Sequence, residues 1–186
     1  MAEAQSARLS GADYLAWEAA QSGKHEYVAG EVFAMVGASD RHVTIAGNVF
    51  AALRAHLRGG PCRAYIADMK LRVDAVDAWF YPDVMVVCEA ADLARPQDKI
   101  APVLIVEVLS PSTEAFDRGG KFAAYRQIET LREYLMVDPE SGRIELYRRE
   151  DAGRWSLQPP ADPVELLSVD LRLLAAEVFE DAAPGP

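Results

Sequence analysis

Two apolar runs, each broken near its end by a single acid, constrain this chain more than any other feature. The first is Trp79-Phe80-Tyr81-Pro82-Asp83-Val84-Met85-Val86-Val87-Cys88. The second is Pro102-Val103-Leu104-Ile105-Val106-Glu107-Val108-Leu109, closed by Ser110-Pro111-Ser112. β-Branched and aromatic residues dominate both, and Pro or polar residues bound them, so each reads as one strand. Being apolar on both faces, the strands belong inside a covered sheet. An ionised carboxylate is costly there unless a positive group compensates it, and two acids on neighbouring strands also repel. A divalent cation held between Asp83 and Glu107 removes both costs, because a bound ion becomes the largest local charge.

The next segment supplies a third group. Asp117 is expected to cap a helix from Arg118 to Ile128. At about 100° per residue, Phe122, Ala124, Tyr125 and Ile128 make an apolar stripe with Lys121 in its middle. Lys121 is therefore expected to face the sheet that carries the two acids. The plainer alternative is a lysine stem lying over the core with its charge in water. Asp83 and Glu107 likewise have ordinary readings, as a Pro-Asp strand residue and an isolated strand acid. Together, two acids and one lysine at a sheet end suit metal-assisted hydrolysis of a phosphodiester. The acids would hold Mg²⁺, with Mn²⁺ as a substitute, and the ammonium would steady water or phosphate.

At 186 residues the chain is expected to form one domain, spanning 9–180 between a disordered lead (1–8) and a frayed tail (181–186). No run is long and apolar enough for a bilayer and no signal peptide opens the chain, so no membrane contact and a cytoplasmic location are expected. Cys62 and Cys88 lack metal-ligand spacing and read as buried small hydrophobes in a reducing compartment. The net charge of −10 argues against indiscriminate nucleic-acid binding, but the charge is unevenly spread. Residues 41–72 hold six basic residues and one acid, while 73–117 hold nine acids and two bases.

Along the chain, Ser10-Gly11-Ala12-Asp13 resembles a capping box before a short helix at Tyr14–Ala20. His25 to Met35 reads as a hairpin turning at Ala29-Gly30. Glu26 and Glu31 flank that turn, where solvated acids are the default, more so for Glu26 than for Glu31. Ser39 or Asp40 caps a long helix to about Arg58, with Ile45, Ala46, Val49, Phe50, Leu53 and Leu57 on its apolar face. His42 shares that face at the N-terminal end, either as a structural histidine or where a helix N-terminus receives phosphate. Arg63 to Val73 alternates as a single strand, making Lys70 either a phosphate contact or an ordinary exposed lysine. Glu89 to Ala101 reads as a surface loop. Leu131–Val137 and Arg143–Arg149 read as a hairpin, Trp155–Leu157 as a short strand, and Val164–Leu167 and Leu174–Glu180 as packing back on the domain.

Taken in order, these segments resemble a family. His25-Glu26-Tyr27 with Gly30-Glu31, Tyr81-Pro82-Asp83-Val84, Val106-Glu107-Val108-Leu109-Ser110-Pro111-Ser112-Thr113, Asp117 with Lys121 and Tyr125, and Leu131-Arg132-Glu133-Tyr134 are similar to the Uma-type restriction endonuclease family. That family is a branch of the PD-(D/E)XK nuclease superfamily. The resemblance implies a mixed α/β fold, a restriction-endonuclease-like core whose central mixed sheet is flanked by helices, preceded by an N-terminal helix and hairpin. It also implies Mg²⁺-dependent cleavage of DNA, with Asp83, Glu107 and the Val108 carbonyl as metal ligands, and a homodimer for cutting two strands. The superfamily lysine follows the glutamate by two residues, where this chain has Leu109; Lys121 is the matching position in this branch. The long helix lacks the acid many relatives place there, and Glu31 is the candidate for that role. The competing expectation is a nuclease fold retired into a binding or regulatory module, its acids kept for structure.

Overall fold

The structure, a computed structural model, describes residues 9–35 and 37–182, so the expected lead lies outside the described residues, as does most of the expected tail. Ala182 is buried against the core, two residues beyond the expected boundary. Helix α1 (Gly11–Glu18) starts at the expected capping box, Ser10 and Asp13 each satisfying the other's backbone N–H. Strands β1 (His25–Val28) and β2 (Glu31–Ala34) form the expected hairpin. Its turn holds Ala29 at φ 46° and Gly30 at φ 98°, the left-handed pair a tight hairpin needs. Helix α2 (Asp40–His56) is capped by Ser39, whose side chain accepts the His42 N–H.

Both long strands of the expectation are divided. Arg63–Val73 becomes β3 (Arg63–Ile66) and β4 (Lys70–Val73), separated by a turn with Ala67 at φ 37°. The first apolar run becomes β5 (Ala78–Phe80) and β6 (Val84–Val87), linked by Tyr81-Pro82-Asp83. Pro82 has no N–H to give a ladder, which makes this the place where the chain can leave one sheet for another. Strands β4 and β5 join the hairpin in a five-stranded sheet of order β2-β1-β5-β4-β7, where β7 is Asp98–Lys99. Strands β3 and β6 join a six-stranded sheet of order β11-β10-β9-β8-β6-β3. Here β8 is Pro102–Val108, β9 Glu133–Asp138, β10 Arg143–Arg149 and β11 Trp155–Leu157. β8 and β9 are parallel and every other pairing in this sheet is antiparallel, so the sheet is mixed as expected.

The connection 89–101 is not a plain surface loop. It forms helix α3 (Ala90–Leu93) and β7. The fully buried Lys99 donates to the carbonyls of Asp92, Leu93 and Arg95, while Asp92 accepts the Ile100 and Ala101 N–H groups. Each charge is internalised because its partners are, which local polarity cannot foretell.

The six-stranded sheet separates two cores. On one face Val84, Val86, Leu104, Val106 and Leu135 pack against Ile45, Val49 and Leu53 of α2. The same core takes in the ribbon β12 (Val164–Leu166) and β13 (Leu171–Leu173) and helix α6 (Ala175–Val178). On the other face Met85, Ile105 and Tyr134 pack against the five-stranded sheet and the helical segment from Glu114 to Tyr125. Cys62 and Cys88 are disulfide-bonded, correcting the expectation of two free hydrophobes. Arg63 pairs with Val87, so the residues just outside that pair meet across the ladder.

Candidate active site

The linker Tyr81-Pro82-Asp83 carries the first acid to the boundary between the two sheets. Antiparallel pairing of Val84 with Val106 then brings residues 83 and 107 side by side. The Asp83 N–H donates weakly to Glu107 Oε2 at 3.4 Å, and the Val108 N–H donates to Asp83 Oδ2 at 2.8 Å. His42, in the first turn of α2, sets Nε2 3.3 Å from the same Oδ2. No described residue hydrogen-bonds Asp83 Oδ1, which leaves that oxygen for another partner.

Glu107 is nearly sealed from solvent. Its Oε1 accepts from the Tyr125 hydroxyl at 2.8 Å and from Lys121 Nζ at 3.4 Å. Burial pushes its pKa well above the ordinary carboxylate value. Lys121 opposes that shift, and the charges of Asp117, Asp83 and Glu26 add to it. Burial likewise works against the charge on Lys121, but Glu107, Glu26 and Asp117 outweigh it and hold the ammonium protonated. Burial lowers the His42 pKa, yet its bond to Asp83, that acid's charge and the Val108 backbone leave it raised overall. Burial first, and then the Glu107 charge, keep the Tyr125 hydroxyl protonated.

The segment that positions Lys121 is not the helix expected. Helix α4 (Glu114–Phe116) begins earlier, a wide π turn occupies Asp117–Lys121, and helix α5 (Phe122–Tyr125) follows. Asp117 is therefore inside the helical segment and is not its cap. Its carboxylate is buried with Oδ1 3.2 Å from Lys121 Nζ, close enough to attract the charge but not aligned for a hydrogen bond. Single wide turns inside helices are frequent at functional sites.

Two acids missed as site residues thus belong to the cluster. Glu26 is buried, not solvated, with Oε1 3.0 Å from Lys121 Nζ and accepting the Tyr81 N–H. Its signal was alternation, since Glu26 shares a strand face with Val28, which packs on the core. Asp117 was legible as the i,i+4 partner of Lys121. Glu31 sits at the exposed start of β2, outside the cavity lining. Lys70 is also outside it, its ammonium 5.3 Å above the Tyr81 ring. His42 joins the cluster.

Glu26, His42, Asp83, Glu107, Asp117 and Lys121 all line one cavity of about 940 Å³. Lys24 also lines it, but is paired with Asp68 outside the lining. With all four carboxyl groups ionised, Lys121 and a protonated His42 still leave two negative charges uncompensated in a half-enclosed space, and a neutral His42 leaves three. Among the described residues no three His, Cys, Asp or Glu side chains form a closed metal cage. Magnesium does not require one, since it commonly uses one or two carboxylates and completes its shell with water and phosphate. The oxygen donors of Asp83, Glu107 and the Val108 backbone fit that habit; His42 is turned to the Asp83 carboxylate, and the lining holds no sulfur donor of the kind typical of zinc.

A mixed sheet between helices with acids at its strand junction is the architecture of restriction-endonuclease-like folds. The chain belongs to the Uma2 family, described as "putative restriction endonuclease", whose model matches residues 12–178. An uncharacterized Synechocystis protein, slr1290, is 38% identical over 178 residues, covering 95% of this chain and 94% of that one. A second uncharacterized Synechocystis protein, sll1609, is 33% identical over 80% of this chain and 85% of its own length. The fold matches the crystal structure of a "putative nuclease belonging to DUF820" from Anabaena variabilis, with a TM-score of 0.74 and 16% identity. That match covers 94% of this chain and 99% of the other.

Proposed function

We propose that this protein is a metal-dependent DNA endonuclease, with Asp83 and Glu107 as ligands of Mg²⁺ and the Val108 carbonyl beside them. The observation that carries this reading is the gathering of four carboxyl groups around Lys121 in one cavity, with no described residue on Asp83 Oδ1 and Glu107 pushed toward protonation by burial and for want of positive charge. A bound divalent ion would supply that missing charge, polarise the phosphoryl oxygen and acidify water. The remaining work falls to the chain itself. Lys121, protonated and held by three acids, presents its ammonium to the attacking water or the phosphate. Tyr125 fixes the orientation of Glu107, and the Val108 N–H fixes that of Asp83. His42, at the start of α2 against Asp83, is placed to meet a phosphate oxygen arriving at the helix N-terminus.

Incubation of purified protein with supercoiled plasmid and Mg²⁺ or Mn²⁺ is expected to give nicked or linear product. Asp83→Asn and Glu107→Gln are expected to abolish it, together with the heat of Mn²⁺ binding in a calorimetric titration. Lys121→Ala should keep the binding heat and lose roughly 10²-fold in turnover, the scale of removing one charge-stabilising donor. Unchanged cleavage in both acid variants would exclude the assignment. Absence of any metal heat would favour the retired binding module instead. Cutting two strands at one point would need the homodimer, whereas cutting one strand needs a single copy, and sedimentation during turnover separates these forms.

A further inference from the structure

The exposed lining that forms the mouth of the acid cavity is mostly apolar, with Lys24, Ser39 and Ser112 as its polar members. Phe33 and Met35 from the hairpin, Val43 from α2, Ile66 at the end of β3 and Phe116 from α4 all line it, and all are exposed. Large exposed side chains gathered around one opening mark a contact surface. Their position decides what they contact, because the same opening leads to Asp83, Glu107 and Lys121.

Cations available for a duplex backbone are scarce at this opening. Lys24 is paired with Asp68, which leaves only Lys121 and His42, the two groups assigned above to the single reacting phosphate. The chain as a whole carries a net charge of −10. Duplex binding rests on many phosphate neutralisations, and an intact duplex keeps its base faces hidden, leaving these aromatic rings with nothing to touch. Single strands depend less steeply on phosphate neutralisation and add open base faces that stack on aromatic side chains.

Phe33 and Phe116 are suited to that role. They come from different elements, with ring centroids 6.4 Å apart and planes 36° from parallel. At that separation the two rings touch each other and form one aromatic platform across the two elements. Phe116 is held in place from below, because it lies over Gly120, where an added Cβ would come within 2.5 Å of its ring. A neighbouring contact with Phe80, 6.3 Å away, ties it to the five-stranded sheet.

We propose that this mouth binds single-stranded or locally unpaired nucleic acid, stacking a base on Phe33 and Phe116 while the adjoining phosphate enters the acid cavity. The inference rests on the nuclease reading for the direction of the strand. It concerns binding, however, and is tested separately from cleavage. A supercoiled plasmid, which exposes underwound stretches, is then a better substrate than the same plasmid relaxed.

The test is fluorescence anisotropy in Ca²⁺ buffer with a labelled mixed-sequence oligonucleotide, single-stranded or annealed to its complement. The single strand is expected to bind at least tenfold more tightly. Phe33→Ala and Phe116→Ala should each weaken single-strand binding by roughly 5- to 150-fold, the loss of one stacked base, while Phe33→Trp keeps it. Circular dichroism confirms that the variants fold. Equal or tighter duplex binding, no binding of either form, or alanine variants that bind normally would each overturn the proposal. So would a concentration-dependent dimer that Phe33→Ala dissolves, since the mouth would then serve a second copy. Plasmid cleavage that depends on Asp83 but not on Phe33 or Phe116 would leave the nuclease reading standing and remove this one.

Discussion

Glu107 combines strand burial with three acidic neighbours, and its raised pKa has a consequence for stability. A carboxyl whose folded pKa is raised holds its proton more tightly in the folded chain than in the unfolded one. Its contribution is complete below the ordinary glutamate value of about 4.3 and is lost as pH rises through the folded value. In EDTA at neutral pH, Glu107→Gln is therefore expected to melt above the wild type, and the gap should close at acid pH. Added Mg²⁺ should stabilise the wild type alone; a melting order reversed at neutral pH would contradict this account. Asp83, Glu107 and Lys121 were legible because each is a charge set in an otherwise apolar pattern. Glu26 left only the alternation of β1 as a trace, because it is buried only once β1 has paired with β5, some fifty residues away in sequence.

At the scale of elements, the Asp117–Lys121 turn decides where the ammonium points. The periodicity was read correctly but not the widening, since a one-residue expansion leaves no composition mark beyond Gly119-Gly120. Arg118 anchors this turn through a forked contact to Glu145 on β10 and a further bond to Glu114. The Arg118 hydrogen bonds, acting against burial, hold the Glu145 carboxyl below its usual pKa. Stability from such a lowered group is present above the unfolded value and is lost as pH falls through the folded one. Arg118→Ala should cost about 1 kcal/mol near neutrality, a figure kept small because the guanidinium is partly exposed. Denaturant titrations should show that difference shrinking as the pH is taken below the ordinary glutamate range. Split strands were missed for a related reason, since alternation continues through a sheet change and only Pro82 hinted at one.

At the scale of the molecule, the site draws on the hairpin, α2, the sheet junction, β8 and the π turn, so no fragment holds it. The mixed fold was legible from the order of elements, whereas the two-sheet arrangement depends on distant pairings such as β1 with β5. The Cys62–Cys88 bond closes a loop over 26 residues at the far end of β3 and β6 from Asp83. Reduction is expected to lower unfolding stability by about 2–4 kcal/mol while leaving Mn²⁺ heats unchanged, as read by denaturation with and without reductant. The link Tyr81-Pro82-Asp83 is a short hinge pin between two independently registered ladders. One codon gained or lost there would swing the carboxylate away from its neighbour while both ladders kept their pairing. Drift at this single spot would yield a homologue that folds without the acid pair, and a glycine inserted after Pro82, followed by metal titration and circular dichroism, would reproduce that event.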